Sequence, residues 1–341
     1  MTGKNPSKRK PTQADVARMA GVSQTTVSLV LNHHTDASIP AQTIAKVWEV
    51  INQLGYVPNR AAQTLRTQKS YTIAAIIPDI TNPFYPAFAR GIQDVADQHG
   101  YNLVLYNSDG DASKEAQCLI SAQQSHVDGI VGVFFHLRVR DLKAVLESNL
   151  PIVRFVPART QTGDLPLDSL YLDNETAARD VVRFLVERGH RHLAIVTGEA
   201  GPGNARLHGF QQGLIQHGLS AEYFIESHDF TETGGLTSVQ KLLSYQPRPT
   251  AVFAANDLLA IGLMQGIQEA GLRVPDDLAI VGFDDIPAAR YVTPTLTTVA
   301  QSQELIGQRA AEMLLEHLSS EELIGGRCVE VPYELKVRAS T

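Results

Sequence analysis

The sequence predicts a small all-α head followed by an α/β core of two lobes, each built on a doubly wound parallel sheet. In the first 70 residues, two short helical patterns are separated by a glycine and followed by a third. From Tyr71 onward, short apolar strands alternate with longer amphipathic helices, which is typical of parallel sheets covered on both faces. Residues 1–70 hold nine Lys/Arg and three Asp/Glu, a net charge of +6, whereas the remainder holds 20 and 33, a net charge of −13.

Two helices joined by a tight turn are predicted near the N-terminus. Thr12 is expected to cap the first helix, with an acidic residue three positions later that favours the same helix end. Gly21 has the backbone freedom that a tight turn needs, and Ser23 can cap a second helix from about Gln24 to Leu31. This pattern is typical of a helix-turn-helix, whose second helix enters the major groove of DNA. An ordinary helical hairpin is the alternative.

Three further segments complete the basic part of the chain. Residues 1–11 are predicted to form a disordered basic arm. Ile39-Pro40 precedes a third helix that ends at Gly55, and we expect Trp48 to lie on its packed face. Residues 59–66 contain two alanines, one leucine and two arginines, which is too little apolar surface to bury within one chain. We expect this short helix to form only when a second copy, DNA or both cover it.

The core is predicted element by element from apolar runs and helical spacing. The expected first-lobe elements are strands 73–77, 103–106, 129–134 and 151–155, with helices over 83–99 and from 113 and 140. The expected second-lobe elements are strands 193–196, 251–254 and 278–283, with helices 174–188, 205–217, 232–244 and 257–270. Because parallel sheets bind ligands beyond the carboxyl ends of their strands, we expect a ligand in the cleft between the lobes.

The predicted domain boundaries follow these changes of pattern. They are 1–11 for the arm, 12–57 for the helix-turn-helix domain, 58–70 for the short helix and linker, and 71–341 for the core. Within the core, the first lobe is expected at about 71–171 and 300–320, and the second lobe at about 172–299 and 321–338.

Composition argues against a secreted or membrane protein. Cys118 and Cys328 are far apart and form no CxxC pattern, so neither a disulfide framework nor a zinc site is predicted. The N-terminus is polar and basic and lacks the apolar stretch of a signal peptide. The longest apolar runs, such as Ile130–Phe135, are too short to span a bilayer. We therefore expect a cytoplasmic protein with no membrane partner.

The sequence contains no recognisable catalytic, metal-binding or cofactor-binding motif. Residues 201–206 lack the third glycine of a dinucleotide fingerprint, and there is no Walker A or HExxH sequence. Asp284 and Asp285 are adjacent, so in a strand their side chains point to opposite faces and cannot act as an acid/base pair. We expect no enzyme activity, no cofactor and no metal. Four histidines lie in predicted loops without acidic partners at metal-ligand spacing: His33, His34, His190 and His192.

A set of motifs in both parts of the chain resembles one protein family. In the head these motifs are Asp15-Val16-Ala17, Ala20-Gly21-Val22-Ser23, Thr26-Val27-Ser28, Gly55-Tyr56-Val57-Pro58-Asn59, Ala61-Ala62 and Leu65. In the core they are Asn82-Pro83-Phe84-Tyr85, Asp173-Asn174, Gly189-His190-Arg191, Asn256-Asp257, Gly282-Phe283-Asp284-Asp285 and Thr297-Thr298-Val299. Over residues 10–336, the chain resembles the lactose-repressor (LacI-type) family of bacterial transcription regulators. The resemblance implies a homodimer, or a higher oligomer, bound to a near-palindromic operator in double-stranded DNA.

The resemblance places the DNA contacts on the second helix and on the short helix at 59–66. Gln24 and Thr25 would face base edges, because Gln suits the N6/N7 edge of adenine and Thr offers a hydroxyl and a methyl. Leu29 departs from the family, in which many members have an arginine that contacts guanine. Leu65 would be an apolar wedge in the minor groove, with a plain packing leucine as the alternative. The full implied set is Thr12, Gln24, Thr25, Thr26, Ser28, Leu29, Asn32, Tyr56, Asn59, Arg60, Ala62 and Leu65.

For the core, the resemblance implies the fold of periplasmic sugar-binding proteins and an effector between the lobes. An arginine fork and a carboxylate would bind adjacent hydroxyls, amides would set orientation, and an aromatic face would cover a sugar ring. Three of these positions have other interpretations: Asn82 as a turn residue before Pro83, Asp284 as a strand-end cap, and Arg206 as a surface helix residue. The full implied set is Asn82, Phe84, Arg206, Phe230, Asn256, Asp284 and Gln301.

One departure concerns the effector itself. After the fourth strand of the first lobe, many family members have an Asp-Arg pair that contacts the sugar, whereas this chain has Val156-Pro157. A hydroxyl acceptor is therefore absent there, which leaves an unusual sugar, a phosphorylated sugar or another class of molecule as the effector. The implied mechanism is a coupling in which the effector binds one state of the lobes better than the other.

Overall fold

The computed structural model describes residues 9, 11–31, 39–57, 69–160, 163, 165–198, 201–221, 223–227, 229–320 and 324–341. It divides into two compact units, Met1–Ser70 and Tyr71–Thr341. Some of the expectations lie outside the described residues: most of the basic arm, Asn32, and the short helix with Asn59, Arg60, Ala62 and Leu65.

The head unit consists of three helices, α1 (Gln13–Ala20), α2 (Gln24–Leu31) and α3 (Ala41–Leu54). Their apolar faces meet in a small core. Trp48 is 36% exposed, so the expectation that it is packed inside is wrong. The buried residues of this core are Val16, Ala17, Ala20, Val27, Val30, Val47, Val50 and Ile51.

The predicted caps and turn of the head are confirmed. Thr12 and Asp15 form a capping box, in which each side chain accepts a hydrogen bond from the backbone N–H of the other residue. Gly21 has a φ of 68°, in the left-handed region, and its N–H closes the end of α1. The N–H of Thr26 donates to Ser23 Oγ over 3.0 Å at the start of α2. The two helices are therefore fixed at a defined turn.

The first lobe is a six-stranded sheet in which every pair of neighbouring strands is parallel. The strand order is β11-β5-β4-β3-β1-β2. Its strands are β1 (Thr72–Ile77), β2 (Asn102–Asn107), β3 (Gly129–Val133), β4 (Ile152–Val156), β5 (Leu167–Tyr171) and β11 (Cys328–Glu330). Its helices are α4 (Phe84–Gln98), α5 (Ala112–Gln124), α6 (Val139–Glu147) and α11 (Gln303–Ser319).

The second lobe repeats this architecture with one antiparallel edge strand. The strand order is β12-β10-β9-β8-β6-β7, and only β12 runs against its neighbour β10. Its strands are β6 (Leu193–Gly198), β7 (Phe224–Ser227), β8 (Ala251–Ala254), β9 (Ala279–Asp284), β10 (Thr297–Gln301) and β12 (Tyr333–Lys336). Its helices are α7 (Asn174–Glu187), α8 (Gly203–Gln216), α9 (Glu232–Ser244) and α10 (Asp257–Glu269), with a 3-10 turn at Pro287–Arg290.

The chain passes between the lobes more often than its strand patterns indicate. After β10 in the second sheet, α11 packs against α4 of the first lobe, β11 pairs with β5, and β12 returns to β10. The expectation that residues 321–338 belong to the second lobe is therefore wrong at β11. Five strands had not been predicted: β5, β7, β10, β11 and β12.

The lobes share one apolar core that also positions the start of α4. At Gly91 of α4, a Cβ atom would lie 2.0 Å from the carbonyl oxygen of Glu304, so the two helices touch backbone to backbone. Phe84, Phe88 and Val153 belong to this core. Within the described part of the chain, no helix is long and apolar enough to cross a membrane.

Candidate functional site

A cavity of about 470 Å³ lies at the carboxyl ends of the two sheets, between the lobes. Sites of this size take small organic ligands. The structure brings all seven residues of the expected effector set to its walls: Asn82, Phe84, Arg206, Phe230, Asn256, Asp284 and Gln301. The lobes contribute different side chains, so each wall is described separately.

Arg206, in the first turn of α8, is the buried cation of the second-lobe wall. Its Nε donates to Asn174 Oδ1 over 2.8 Å, and its Nη1 donates to the carbonyl oxygen of Ala255. The guanidinium carbon lies 3.4 Å from the centre of the Phe283 ring. Burial lowers the pKa of Arg206 to about 10, although the nearby Asp284 raises it. Arg206 is 4% exposed, so its interpretation as a surface helix residue is wrong.

Asp284 is the buried carboxylate of the same wall. It is the last residue of β9 and has a φ of 116°, an uncommon backbone conformation for a residue with a side chain. Its Oδ1 accepts a hydrogen bond from Gln301 Nε2 over 2.6 Å. Burial raises the pKa of Asp284 to about 6, against the opposing effects of Arg206 and Gln301. Its carboxylate is thus held at the cavity by a side-chain amide from β10.

Gln301 presents an acceptor that no described residue satisfies. Its Oε1 is buried and has no hydrogen-bond partner among the described residues. Buried polar atoms in proteins normally have a partner. A hydroxyl or amine of a ligand in the cavity could supply one.

A second buried carboxylate, Asp257, lies beneath this wall and was not singled out from the sequence. Its Oδ1 accepts from Thr298 Oγ1 over 2.6 Å and its Oδ2 from the N–H of Ile286 over 2.8 Å. Burial and the charge of Asp284 raise the pKa of Asp257 well above its usual value. The signals in the sequence are the Asn256-Asp257 motif and the otherwise apolar stretch that follows it.

Asn256 organises the edge of the second-lobe wall. Its Oδ1 accepts from the N–H of Leu259 over 2.9 Å and caps α10, while its Nδ2 donates to the carbonyl oxygen of Phe230 over 2.8 Å. The ring of Phe230 lies against Gly198, where a Cβ atom would come within 2.5 Å of it. One polar end of Asn256 therefore caps α10, and the other holds the loop that carries Phe230.

The first-lobe wall is aromatic. The rings of Phe84 and Phe155 stack, with centroids 6.2 Å apart and an angle of 16° between their planes. Phe134 and Phe135, which follow β3, line the same side of the cavity, as does the Val156-Pro157 pair. We call Phe84, Phe134, Phe135 and Phe155 the aromatic wall. Of these, only Phe84 had been predicted.

Several polar groups of the first lobe that line the cavity already have local partners. Asp79 Oδ1 accepts from the N–H and the hydroxyl of Thr81 over 2.8 and 2.7 Å. Asn82 Oδ1 accepts from the N–H of Phe84 over 3.0 Å, so Asn82 serves as the turn residue before α4 as well as a lining residue. Asp109 forms an ion pair with Lys114.

Phe135 is held in place by a buried carboxylate behind it. Glu115 of α5 accepts hydrogen bonds from three consecutive backbone N–H groups, those of Phe135 (2.6 Å), His136 (3.1 Å) and Leu137 (2.9 Å). The ring of Phe135 reaches across to Gly201 of the second lobe, where a Cβ atom would lie 2.6 Å from it. One ring of the aromatic wall thus contacts both lobes.

In the head, some of the predicted DNA-contacting residues lie on α2, and the others are engaged in the head's own packing. Gln24 and Thr25 are exposed at the start of α2, and Thr26, Ser28 and Leu29 are half-buried along it. Thr12 is engaged with Asp15, and Tyr56 packs against the head core, where burial raises the pKa of its hydroxyl. The exposed start of α2 is the surface that a groove could receive.

Comparison with known proteins identifies the family. A model described as "Bacterial regulatory proteins, lacI family" matches residues 12–59, and one described as "Periplasmic binding protein-like domain" matches residues 182–341. Catabolite control protein A of Priestia megaterium is 36% identical over 331 residues, which are 96% of this chain and 98% of that protein. The chain belongs to the lacI family of bacterial regulatory proteins.

Two further relatives of this lacI-family chain extend the comparison. The ribose operon repressor of Escherichia coli (strain K12) is 34% identical over 316 residues, 92% of this chain and 94% of that protein. The crystal structure of the lac repressor dimer bound to operator and the anti-inducer ONPF superposes with a TM-score of 0.83 at 28% identity. It covers 97% of this chain and 99% of that chain. The predicted fold, a helix-turn-helix head on a periplasmic-binding-protein-like core, is therefore confirmed.

Proposed function

We propose that this lacI-family regulator represses transcription in the cytoplasm by binding a near-palindromic operator as a homodimer. A small effector, a sugar or a sugar derivative, controls it from the interlobe cleft. The supporting observation is that one chain combines a capped helix-turn-helix with a cleft at the carboxyl ends of two parallel sheets. Its relatives are named as repressors and as a control protein.

Operator recognition is proposed to begin at the start of α2. Gln24 and Thr25 are exposed there and have the chemistry to contact adenine and a thymine methyl. Leu29 can make only apolar contacts, which distinguishes the preferred operator from that of relatives with arginine. The other proposed DNA contacts are Thr12, Thr26, Ser28, Asn32, Tyr56, Asn59, Arg60, Ala62 and Leu65. The net charge of +6 on residues 1–70 favours contact with phosphates.

Effector binding is proposed for the seven lining residues named above. Asp284, Arg206 and Gln301 offer a carboxylate, a guanidinium and an amide at one wall, which suits adjacent hydroxyl groups. The cleft differs from that of an enzyme because no nucleophile and base are paired at it among the described residues. We therefore propose that the ligand is bound and released unchanged.

Fluorescence anisotropy with a labelled duplex from upstream of its own gene tests the DNA-binding proposal. Gln24→Ala is expected to weaken specific binding roughly tenfold or more, because one bidentate base contact is lost. Gln53→Ala, on the exposed side of α3, is the matched control and should have no effect. Affinity of the wild type should fall steeply as salt rises. Equal binding of operator and scrambled duplex would contradict the proposal.

The short helix at 59–66 has its own test. Leu65→Ala is expected to weaken operator binding much more than binding to a random duplex, since a wedge acts only where the duplex bends. A plain packing leucine would give equal losses on both duplexes. The same anisotropy assay, run on both duplexes, distinguishes these outcomes.

A further inference from the structure

The two walls of the cleft have different chemistry, and this difference bears on the effector. The first-lobe side presents the aromatic wall, whose Phe84 and Phe155 rings stack on each other. Phe134 is 7% exposed and Phe84 is 5% exposed, so most of each ring lies in the core while a small part faces the cavity. Such a surface binds apolar groups, above all flat ones that stack.

Several hydrogen-bonding groups on this side of the cavity are already engaged within the lobe, although the hydroxyl-bearing Tyr85 also lines the cavity. The Oδ1 atoms of Asp79 and Asn82 accept bonds from their own loop, and both carboxylate oxygens of Asp109 have donors, Asn107 and Lys114. The ring of His136 bonds to the carbonyl oxygen of Gly110 over 2.8 Å. A sugar hydroxyl that met only engaged groups on this side would be left without a partner, which is costly in a desolvated site.

The end of β4 has no side chain that could form a hydrogen bond with a ligand. Val156 is apolar and 8% exposed, and Pro157 has no N–H. The carbonyl oxygen of Pro157 already accepts from Asn174 Nδ2 over 2.8 Å. This part of the wall therefore cannot bind a hydroxyl group through a side chain.

The second-lobe wall supplies the complementary polar half. Asp284 and Gln301 are bonded to each other, and Gln301 Oε1 has no partner among the described residues. Arg206 is the only Lys or Arg among the described residues that line the cavity. Four acidic residues line it as well: Asp79, Asp109, Asp229 and Asp284. A phosphate group would meet more negative than positive charge, so a phosphorylated sugar fits least well of the three alternatives.

We propose that the effector joins a hydroxylated ring to an apolar planar group. The hydroxylated ring binds Asp284, Arg206 and Gln301, and the planar group stacks on the aromatic wall. The inference rests on the cleft being the effector site, as proposed above. Two kinds of molecule share this chemistry, an aryl glycoside and a nucleoside, and the probes below distinguish them.

Isothermal titration of the full chain with matched pairs of small molecules tests the inference. The pairs are methyl and phenyl β-D-glucopyranoside, methyl and phenyl β-D-galactopyranoside, and D-ribose and adenosine. In at least one pair, the member with the planar group should bind roughly tenfold or more tightly than its partner, because it buries extra apolar area. A phenyl glycoside would indicate the first source and adenosine the second. If no pair shows this advantage, whether or not the smaller members bind, the proposal is overturned.

Substitutions test whether the tighter binding of the planar member depends on the aromatic wall. Phe155→Leu keeps an apolar side chain of similar size but removes the flat face, so the ratio of affinities within the pair should fall to about threefold. Phe224→Leu is the matched control, because Phe224 is 41% exposed on the edge strand β7 and does not line the cavity. Thermal unfolding confirms that each variant is folded. An unchanged ratio in Phe155→Leu would overturn the placement of the planar group.

Operator binding measured with the same probes separates this inference from the proposed function. If a planar probe binds and leaves operator affinity unchanged, the cleft chemistry is supported and the proposed regulation fails. If a free sugar changes operator affinity and every planar member is inert, the proposed regulation is supported and this inference fails.

Discussion

The second-lobe wall of the cleft holds buried charges that act on one another, whereas the first-lobe wall holds stacked rings. On the second lobe, Arg206, Asp284 and Asp257 are all nearly inaccessible to solvent, and each shifts the pKa of another. On the first lobe, the one fully buried carboxylate near the cleft, Glu115, bonds only to backbone N–H groups among the described residues.

From this difference we infer that the second-lobe wall is suited to recognise a ligand and that Glu115 positions part of the first-lobe wall. Charges that are buried beside one another are sensitive to any group added between them, because the local dielectric is low. They are suited to detect a ligand. A carboxylate that is saturated by backbone donors has no capacity left for a ligand, and its effect is to fix a loop. The backbone at Phe135 of the aromatic wall is thus fixed by Glu115, and the charged wall is suited to respond to a ligand.

Removing the cation of the charged wall should have the largest effect. Arg206→Met keeps most of the side-chain volume but leaves Asp284 without a compensating charge. We expect the free energy of unfolding at pH 7 to fall by about 3 kcal/mol, measured by urea unfolding of the full chain. Arg183→Met is the control, since Arg183 is 59% exposed in an ion pair with Asp180 and should cost under about 1 kcal/mol. Similar losses in both variants would contradict a coupled charged wall.

The pH dependence of stability should reveal the carboxylate of the same wall. Because burial raises the pKa of Asp284 to about 6, the folded protein binds this proton more tightly than the unfolded chain. The contribution of Asp284 to stability is therefore present below about pH 4 and is lost as the pH rises through 6. Asp284→Asn should remove this slope, a difference from the wild type of up to roughly 3 kcal/mol between pH 4 and pH 7.

Urea unfolding of both proteins across this pH range measures the difference. Because the charge of Asp284 raises the pKa of Asp257, the difference between the two proteins also contains the change that Asp284→Asn causes in the titration of Asp257. Asp276→Asn, at an exposed surface ion pair with Arg273, serves as the control and should run parallel to the wild type. Parallel curves for Asp284→Asn as well would show that Asp284 titrates normally.

The fold was predictable because its signals are local, whereas half of the cleft was not. The alternation of apolar strands with helices predicts the two lobes. The short strands β5 (Leu-Asp-Ser-Leu-Tyr) and β7 (Phe-Ile-Glu-Ser) contain polar residues and resemble loops in the sequence. The return of β11 to the first sheet depends on pairing with β5, which lies far away in the sequence. No local pattern specifies such a pairing.

The site residues divide in the same way. All seven residues implied by the family motifs line the cavity, because each lies at or after the carboxyl end of a strand. Glu115 could not have been singled out, since in the sequence it resembles any acid on a helix surface. Its three backbone partners lie 20 to 22 residues further along the chain and approach it only through the crossover from α5 to β3. Phe135 and Phe155 read simply as apolar residues near strand ends.

The loop that carries Phe135 can be destabilised without substitution of an aromatic residue. Glu115→Ala leaves three part-buried N–H groups without their acceptor, so the free energy of unfolding should fall by about 2–3 kcal/mol. Glu115→Gln keeps one acceptor oxygen and should cost about half as much. Hydrogen exchange should speed up at the amides of Phe135, His136 and Leu137 before other amides of the lobe. Uniform exchange across the lobe would show that the carboxylate does not fix this loop specifically.

The smallest effect on stability should come from substitution of Asn82, which both lines the cavity and holds the start of α4. Its Oδ1 holds the N–H of Phe84, and its Nδ2 is proposed to face the effector. Asn82→Asp keeps the acceptor and adds a charge at the N-terminus of α4, so stability should change by less than about 0.5 kcal/mol. Asn82→Ala loses the acceptor and should cost about 1 kcal/mol.

Binding separates the two roles of Asn82. If its amide contacts the effector, Asn82→Asp should weaken binding of the tightest probe about tenfold while leaving stability nearly unchanged. If Asn82 is only a turn residue, Asn82→Asp should bind that probe as the wild type does. In that case Asn82 would supply no hydrogen bond to the effector. The first-lobe wall would then contribute mainly stacking, and the second-lobe wall would contribute the charged contacts.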